Sequence, residues 1–466
     1  MIRSNFLRVA SLLAAAPLLG ADPKWDDERF SPSVVQGDLD AIWTTLIDVG
    51  AQPFRTSNST TVEQLYNQIR TDITSPMTVR EAWLAISPLL GALNDGHVGL
   101  GFPGALNQAP FRFPLFFSLA NDRSLIVHRD RTKTIPIGST VVSVDGIPAA
   151  RFTEATLAAF GGQTQLLWQT RVTESGAWTA IALFGDRGSY TVRWVDPASG
   201  SIHEAAVASV APSSQTATRP TPYTYSMLQN GTVGYIDYRS CEDLPRFRTF
   251  LDSTFAQIKA APIRALVIDI RKNGGGDSDL NNLLWTYVTK KSFKQFGGVI
   301  EKSCDRLKRE YGKDRYIRTY GERAWRAPDG TMLTSGMDPN ANLITAQPLP
   351  NRFQGPVYLL ISAATFSSAM SCALAAKDYG LATIVGQETG EPVNSTGEVY
   401  TEITPGLGFQ AWLTTKVFLA PKPHPDRQGV IPDVPVSVTT ADIAAGRDVV
   451  LERTLDLISQ THSATL

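Results

Sequence analysis

Three stretches of this 466-residue chain carry side chains that could perform nucleophilic catalysis. Ser367 and Ser368 follow the apolar run VYLLIS and open a segment rich in small residues, where a hydroxyl would meet the positive end of a helix dipole. The glycine-rich turn at 272–277 follows the run ALVIDIR, and its backbone N–H groups could approach a developing oxyanion. His97 lies in an Asn-Asp-Gly-His turn and could be the base that a serine nucleophile needs.

Each stretch also has a purely structural interpretation. Ser367 or Thr365 could simply cap a helix, and the glycines could form a flexible surface turn. The pattern G-x-G-x-x-G at 99–104 does not indicate a dinucleotide site, because a helix precedes it, a proline interrupts it and a strand follows it. The sequence contains no P-loop and no G-x-S-x-G elbow.

Four other histidines compete for the role of base. His128 and His203 lie in a β-rich region, where a structural role is more common, and His462 lies in the C-terminal tail. His424, in the loop PKPHPDRQG, follows the last predicted core strands and is the second candidate. His97 is favoured because a glycine-flanked turn after a helix lets its side chain project into a cleft.

The elements that must position these residues differ in their periodicity. Residues 31–93 have apolar positions at three-to-four spacing, which predicts helices, and Thr78 with Glu81 forms a capping-box pattern. Residues 110–210 contain short runs between turns, which predict strands. Beyond a polar linker at 212–222, continuous apolar runs alternate with amphipathic segments, which predicts a mainly parallel sheet covered by helices. The charged segment 290–353 is interpreted as an insertion or lid beside this core.

Composition narrows the class of protein. The chain has 43 Lys and Arg residues against 44 Asp and Glu residues, and this near-neutral balance argues against a nucleic-acid partner. Three cysteines are too few for a disulfide framework. Arg3 and Arg8 precede the apolar run 9–19 and the small residues 20–21, which predicts a signal peptide, with a buried helix as the alternative. No other run is long enough for a membrane span, so we expect none after signal removal.

Taken in order, these segments resemble the C-terminal-processing (tail-specific) serine peptidases and their tricorn-core relatives. The strings that carry the resemblance are LNDGHVGL, IPIGSTVVSVDGIPA, GTVGYIDYR, VIDIRKNGGGDSD, VYLLISAATFSSAMSCALAAKDYGLATIVGQETGE and GVIPDVPV. The resemblance implies an α/β fold with a ClpP/crotonase-like core and a mainly parallel sheet, a PDZ-like β module and an N-terminal helical domain.

The resemblance also implies roles for individual residues. Ser367 matches the nucleophile, and the backbone N–H groups of Ser368 and Gly274 match the oxyanion hole, with Gly275 as their neighbour. Asp378, in the KDYG step at the end of the nucleophile helix, is interpreted as structural.

This chain differs from many of the tail-specific peptidases in its general base. The lysine that deprotonates their serine would fall near Glu391 or Pro392, so it is missing here, and the Asp-Gly-His turn matches the tricorn-core arrangement with His97 as the base. The tricorn core has a serine before its histidine, where this chain has Gly96, so the group that orients His97 stays open. Glu398 and Asp426 are the candidates, and Asp95 is a weaker third.

The predicted domains are a signal peptide at 1–21, a helical domain at 22–108 that ends in the His97 turn, a PDZ-like β-rich domain at 109–211, a linker at 212–222, an α/β peptidase core at 223–440 with the insertion 290–353, and a C-terminal helix and tail at 441–466.

The expected function is that of an exported serine endopeptidase, secreted or in the periplasm or cell envelope. Its partners would be peptide or protein substrates, engaged near their C-terminal tails, and neither a metal nor an organic cofactor is needed. The main alternative is a non-catalytic protein on the same fold that binds peptides or hydrophobic ligands. An acyl-CoA enzyme of the crotonase type is a second alternative, which the signal peptide and the PDZ-like module disfavour.

Overall fold

The computed structural model describes residues 28–103, 113–120, 122–185, 187–210, 221–345, 348–425, 428–439, 441–442 and 445–463. The predicted signal peptide, most of the predicted linker and Asp426 lie outside these ranges. No helix in the described ranges is both long and apolar enough to cross a bilayer.

The helices are α1 Pro32–Val49, α2 Ser59–Asp72, α3 Val79–Gly91, α4 Ala149–Ala159, α5 Gln165–Phe184, α6 Leu244–Ala260, α7 Asp279–Thr286, α8 Asp305–Tyr320, α9 Glu322–Arg326, α10 Ser368–Tyr379 and α11 Val449–Ser463. The strands are β1 Gly99–Gly101, β2 Leu115–Leu119, β3 Leu125–Asp130, β4 Thr140–Val144, β5 Ile147–Pro148, β6 Ser189–Val195, β7 Ile202–Ala208, β8 Tyr223–Leu228, β9 Val233–Tyr238, β10 Ala265–Asp269, β11 Gly298–Lys302, β12 Met332–Ser335, β13 Val357–Ile361, β14 Thr383–Gly386, β15 Ser395–Ile403, β16 Gln410–Leu419 and β17 Val434–Pro435.

The central sheet has the strand order β17-β14-β13-β10-β9-β8. Its neighbours are parallel except for the hairpin of β8 and β9. Every residue of β10 and β13 is buried, as expected for continuous apolar strands with both faces covered. Since β10 and β13 are parallel neighbours, the turns that follow them emerge side by side at one edge of the sheet.

The N-terminal helices α1 to α3 form as the sequence predicts. The Thr78 hydroxyl accepts from the Glu81 N–H while the Glu81 carboxylate accepts from the Thr78 N–H, so the predicted capping box is present. These helices share one apolar core with β1, β15 and β16 and with α8 and α9. Because β1 follows the His97 turn directly, this packing fixes where the histidine lies.

The segment 290–353 is built into a second sheet. Its strands β11 and β12 extend the order β1-β16-β11-β12, and β15 also pairs with β16. Its helices α8 and α9 pack on the same core as α1. The described part of the predicted insertion therefore supports the sheet that carries β1.

The segment between the N-terminal helices and the central sheet forms a third, antiparallel sheet with the order β2-β3-β4-β6-β7. The interpretation of this segment as strands alone was incomplete, because α4 and α5 occupy 149–159 and 165–184. Helix α5 packs against β2, α4 and α3, and so joins this sheet to the N-terminal helices. The mixed α/β fold with several sheets is confirmed, whereas the PDZ-like description stays a prediction.

Candidate active site

Ser367 occupies a strained turn between β13 and α10. Its φ of 54° and ψ of −127° lie in a region that residues other than glycine rarely adopt. The side chain makes no capping hydrogen bond to α10, and Ser367 lines a cavity. Thr365, the other cap candidate, donates instead to the Ile270 carbonyl over 3.0 Å. A strained strand-to-helix turn is a common way to present a nucleophile, so this observation favours the catalytic interpretation of Ser367.

The glycine turn lies directly against Ser367. The Phe366 N–H donates to the Asn273 carbonyl over 3.1 Å, which ties the two turns together. A Cβ on Gly275, whose φ is 98°, would lie 2.7 Å from Ser367 Cβ. Only glycine permits this approach of the two backbones, so the turn is a fitted part of the site.

The three predicted oxyanion residues differ in what their N–H groups do. The Gly275 N–H donates to Asn273 Oδ1 over 2.8 Å and is therefore not free to bind an oxyanion. The N–H groups of Gly274 and Ser368 make no hydrogen bond within the described residues. These two N–H groups are therefore the pair that the geometry leaves for an oxyanion beside Ser367.

The His97 turn is held by Asp95, which is buried. Asp95 Oδ1 accepts from the His97 N–H over 2.9 Å and from the Thr396 hydroxyl over 2.7 Å, and Oδ2 accepts from the Thr414 hydroxyl over 3.0 Å. Asp95 thus anchors the histidine backbone to β15 and β16. Asp95 does not hydrogen-bond the imidazole, so it is not the group that orients the His97 ring.

The His97 turn packs on Phe366, the residue that precedes Ser367. The rings of His97 and Phe366 have centroids 4.5 Å apart. A Cβ on Gly96 would come within 2.9 Å of the Phe366 ring, so a serine there would collide with it. Arg171 of α5 donates to the Gly96 carbonyl, and its guanidinium lies 5.1 Å from the centre of the Phe366 ring. Helix α5 therefore holds the His97 turn against the Ser367 turn.

Glu391 connects the two predicted catalytic residues. Its Oε2 accepts from the Ser367 N–H, and its Oε1 lies 3.4 Å from His97 Nδ1. The Glu391 side chain is 1% exposed and the His97 side chain 9% exposed. Neither imidazole nitrogen has a hydrogen-bond partner in the described chain. Catalytic hydrogen bonds often tighten when substrate binds, so a separation of 3.4 Å is compatible with a catalytic pairing of these two side chains.

The Glu391 assignment was missed in the sequence, although a signal was present. The resemblance places the missing lysine near Glu391 or Pro392, and from the sequence alone this indicates only the loss of a base. A carboxylate at the position of a base is also what a histidine needs as a partner. The proximity to His97 depends on a contact between residues 294 positions apart, which no local pattern reveals.

Burial shifts the pKa values of this pair in opposite directions. Desolvation lowers the pKa of His97, an effect that Asp95 opposes and Arg171 reinforces. Desolvation raises the pKa of Glu391, against the stabilising hydrogen bonds from Ser367 and Ser395. The imidazole is therefore readily neutral, which is the form that can accept a proton.

Glu398, a candidate partner of His97 in the sequence, is paired with a lysine instead. Glu398 lines the same cavity, but its carboxylate is 4.0 Å from Lys416 Nζ, and burial raises its pKa. Asp426 lies outside the described residues. The second base candidate, His424, donates from Nε2 to Asp378 Oδ1 over 2.8 Å near the far end of α10.

A cavity of about 630 Å³ brings the predicted residues to one surface. Ser367, His97 and Gly274 all line it. Pockets of this size are typical of substrate sites.

Residues 232–436 match Peptidase family S41. The match includes the glycine turn, Ser367 and Glu391. This chain is a serine-type peptidase, and its segment 232–436 is similar to family S41.

Solved structures of mature CPAF share the fold of this peptidase. The structure titled as mature CPAF complexed with lactacystin has a TM-score of 0.61 and 15% identity, and the alignment covers 92% of this chain and 99% of that one. For mature CPAF the TM-score is 0.58 with 16% identity, over 88% of this chain and 94% of that one. At such identities the likeness concerns the fold alone. No curated protein matches the chain.

Proposed function

We propose that this peptidase is an exported serine endopeptidase that uses Ser367 as nucleophile, His97 as general base and Glu391 as the carboxylate partner of the imidazole. The supporting observation is that Glu391 contacts both the Ser367 backbone and His97 Nδ1 beside the glycine turn. Since Nδ1 faces Glu391, Nε2 is the nitrogen left to accept the serine proton.

The reaction follows from these placements. The Ser367 hydroxyl attacks the peptide carbonyl while its proton passes to His97 Nε2, and the carbonyl oxygen becomes an oxyanion. The N–H groups of Gly274 and Ser368 stabilise this charge, and losing one such donor raises the barrier by roughly 3 kcal/mol in other serine hydrolases. The imidazolium then protonates the leaving amine, and Glu391 stabilises its positive charge. A water molecule repeats the sequence to release the acyl group.

A fluorophosphonate probe tests the nucleophile. The wild-type protein should be labelled at Ser367 and should hydrolyse peptides, and Ser367→Ala should lose both properties. Ser253→Ala is the matched control, because Ser253 is an exposed residue of α6. An unlabelled wild-type protein that still binds peptides would favour the non-catalytic alternative.

Export is supported by the order of charged, apolar and small residues within positions 1–21. The expected result is that protein recovered from the medium or the cell envelope begins after Ala21. Deletion of residues 2–21 should retain the protein inside the cell. Recovery of the full-length chain inside the cell would contradict this proposal.

Engagement of C-terminal tails rests on the resemblance of 109–211 to a PDZ-like module, which would add a peptide to a sheet edge and bind its carboxylate. Matched peptides with a free or an amidated C-terminus test it. The free carboxylate should lower KM, whereas equal KM values would remove tail recognition and leave the hydrolytic mechanism intact.

A further inference from the structure

One end of the catalytic cavity is walled by aromatic rings. Phe160, which follows α4, Trp178 of α5 and Trp412 of β16 line the same cavity as His97 and Ser367. Phe160 and Trp178 belong to one apolar cluster, while Trp412 reaches the cavity from β16. The Trp178 ring stacks on Phe102 with centroids 5.7 Å apart, and Phe160 is almost fully buried.

Gly99 forms the floor between two of these rings. A Cβ on Gly99 would point between them, 3.4 Å from the Trp412 ring and 3.7 Å from the Phe160 ring. Trp412 is the cross-strand partner of Gly99, and its ring extends over Gly101, where a Cβ would lie only 2.8 Å away. The two glycines of β1 thus let the indole lie flat on the strand. At Gly99, the absence of a side chain leaves space between the rings.

Glu398 is a charged residue that lines the cavity, and it has a charged partner within the protein. Glu398 lines the cavity with a side chain that is 10% exposed, and its carboxylate lies 4.0 Å from Lys416 Nζ. The same ammonium group lies 3.9 Å from Glu301 and 4.5 Å from the centre of the Tyr320 ring. Glu398 therefore has a cationic partner within the protein, which it shares with Glu301.

We propose that Phe160, Trp178 and Trp412 over Gly99, together the aromatic subsite, bind a large apolar side chain of the substrate residue next to the scissile bond. Gly99 is two residues from His97, so the subsite adjoins the point of proton transfer. Aromatic side chains gain from buried area and from edge-to-face or offset contacts with such walls. The proposal rests on the proposed endopeptidase function, because it names the substrate class of that site.

The test uses two series of quenched fluorescent peptides, which vary the residue on one side or the other of the scissile bond among Phe, Leu, Ala and Arg. In one series the wild-type protein should cleave the Phe and Leu peptides with a kcat/KM at least about tenfold above that of the Ala peptide, as expected for an apolar pocket.

Two substitutions should reduce the ratio of kcat/KM for the Phe peptide to kcat/KM for the Ala peptide. Gly99→Val fills the floor, and Trp178→Ala removes one wall without filling the space, so the two variants test the subsite by opposite changes in volume. Gly37→Val is the control for the first variant, because Gly37 is exposed on α1 and a Cβ there meets nothing within 4 Å. The control should keep the wild-type ratio.

The outcomes separate this proposal from the proposed function. Fluorophosphonate labelling and cleavage with equal rates for Phe and Ala, or with Arg preferred, would overturn the subsite while Ser367 catalysis stands. A preference for Phe that both variants leave unchanged would place the specificity elsewhere and would also overturn it. Absence of labelling and of all cleavage would overturn the proposed function itself.

Discussion

Helix α10, which begins directly after Ser367, has a histidine–carboxylate pair near each end, and the two pairs differ in burial and in hydrogen bonding. At the N-terminal end, Glu391 Oε1 lies 3.4 Å from His97 Nδ1. Both side chains are deeply buried, and they share no hydrogen bond. At the C-terminal end, His424 and Asp378 are joined by a 2.8 Å hydrogen bond, and the His424 side chain is 20% exposed.

The difference shows that the location of such a pair decides what it can do. The first pair adjoins a strained serine, a glycine turn and a cavity, so a proton accepted there can serve a reaction. The second pair lies at the far end of α10, and its hydrogen bond ties the loop that carries His424 to that helix. We therefore expect the first pair to control rate and the second to control stability.

The largest expected effect comes from exchanging each histidine for glutamine. His97→Gln should lower kcat by at least about 10³-fold, because the serine loses its general base. His424→Gln should leave kcat within about threefold of wild type, because it removes a hydrogen bond at the far end of the helix. Steady-state kinetics with one peptide substrate measures both. The reverse order would reassign the base to His424.

Substitution of the two carboxylates should give the second largest difference in kcat between the pairs. Glu391→Gln should lower kcat by about 10²-fold, because a neutral amide cannot stabilise the imidazolium. It should also move the acid limb of the pH–rate profile to lower pH. Glu391 takes up protons at a higher pH than an ordinary carboxylate, and without it only His97, whose pKa burial lowers, has to be deprotonated.

The comparison for this second prediction is Asp378→Asn. It should leave the acid limb of the profile in place, because Asp378 has no contact with His97 in the described structure. An identical shift in both carboxylate variants would show that the two pairs are not functionally distinct.

A smaller effect is expected from the residue that clamps the first pair. Arg171→Gln should lower kcat by about tenfold, because the Gly96 carbonyl loses its charged donor and the histidine turn loosens. The acid limb should move to higher pH, since Arg171 contributes to the lowered pKa of His97. Arg151→Gln, on the exposed face of α4, is the control. A loss of rate without a shift in the profile would mean that Arg171 acts through packing alone.

The smallest effect concerns stability. His424→Gln should lower the free energy of unfolding by about 1–3 kcal/mol, because Asp378 stays buried with its partner removed. Urea unfolding of the two histidine variants measures this. His97 has no hydrogen bond to lose from its ring, so His97→Gln should cost less. Equal losses of stability would contradict the assignment of a structural role to the second pair.

Much of the site was visible in the sequence because its parts are local. The helix cap at Thr78, the buried strands before the glycine turn and before Ser367, and the alternation of strand and helix around them are set by neighbouring residues. Helices α4 and α5 were missed because the surrounding short strands dominated the interpretation of 110–210, so the contribution of Arg171 was missed with them.

What the sequence by itself determined about this protein is the set of reactive turns and their order, since φ freedom, apolar runs and small residues act over a few positions. Only the tertiary structure decided which carboxylate faces His97 and which of the three glycine-turn and serine N–H groups remain open. Those outcomes depend on the packing of β15, β16 and α5 against the edge of the central sheet. Residues hundreds of positions apart meet there, and their burial sets their protonation.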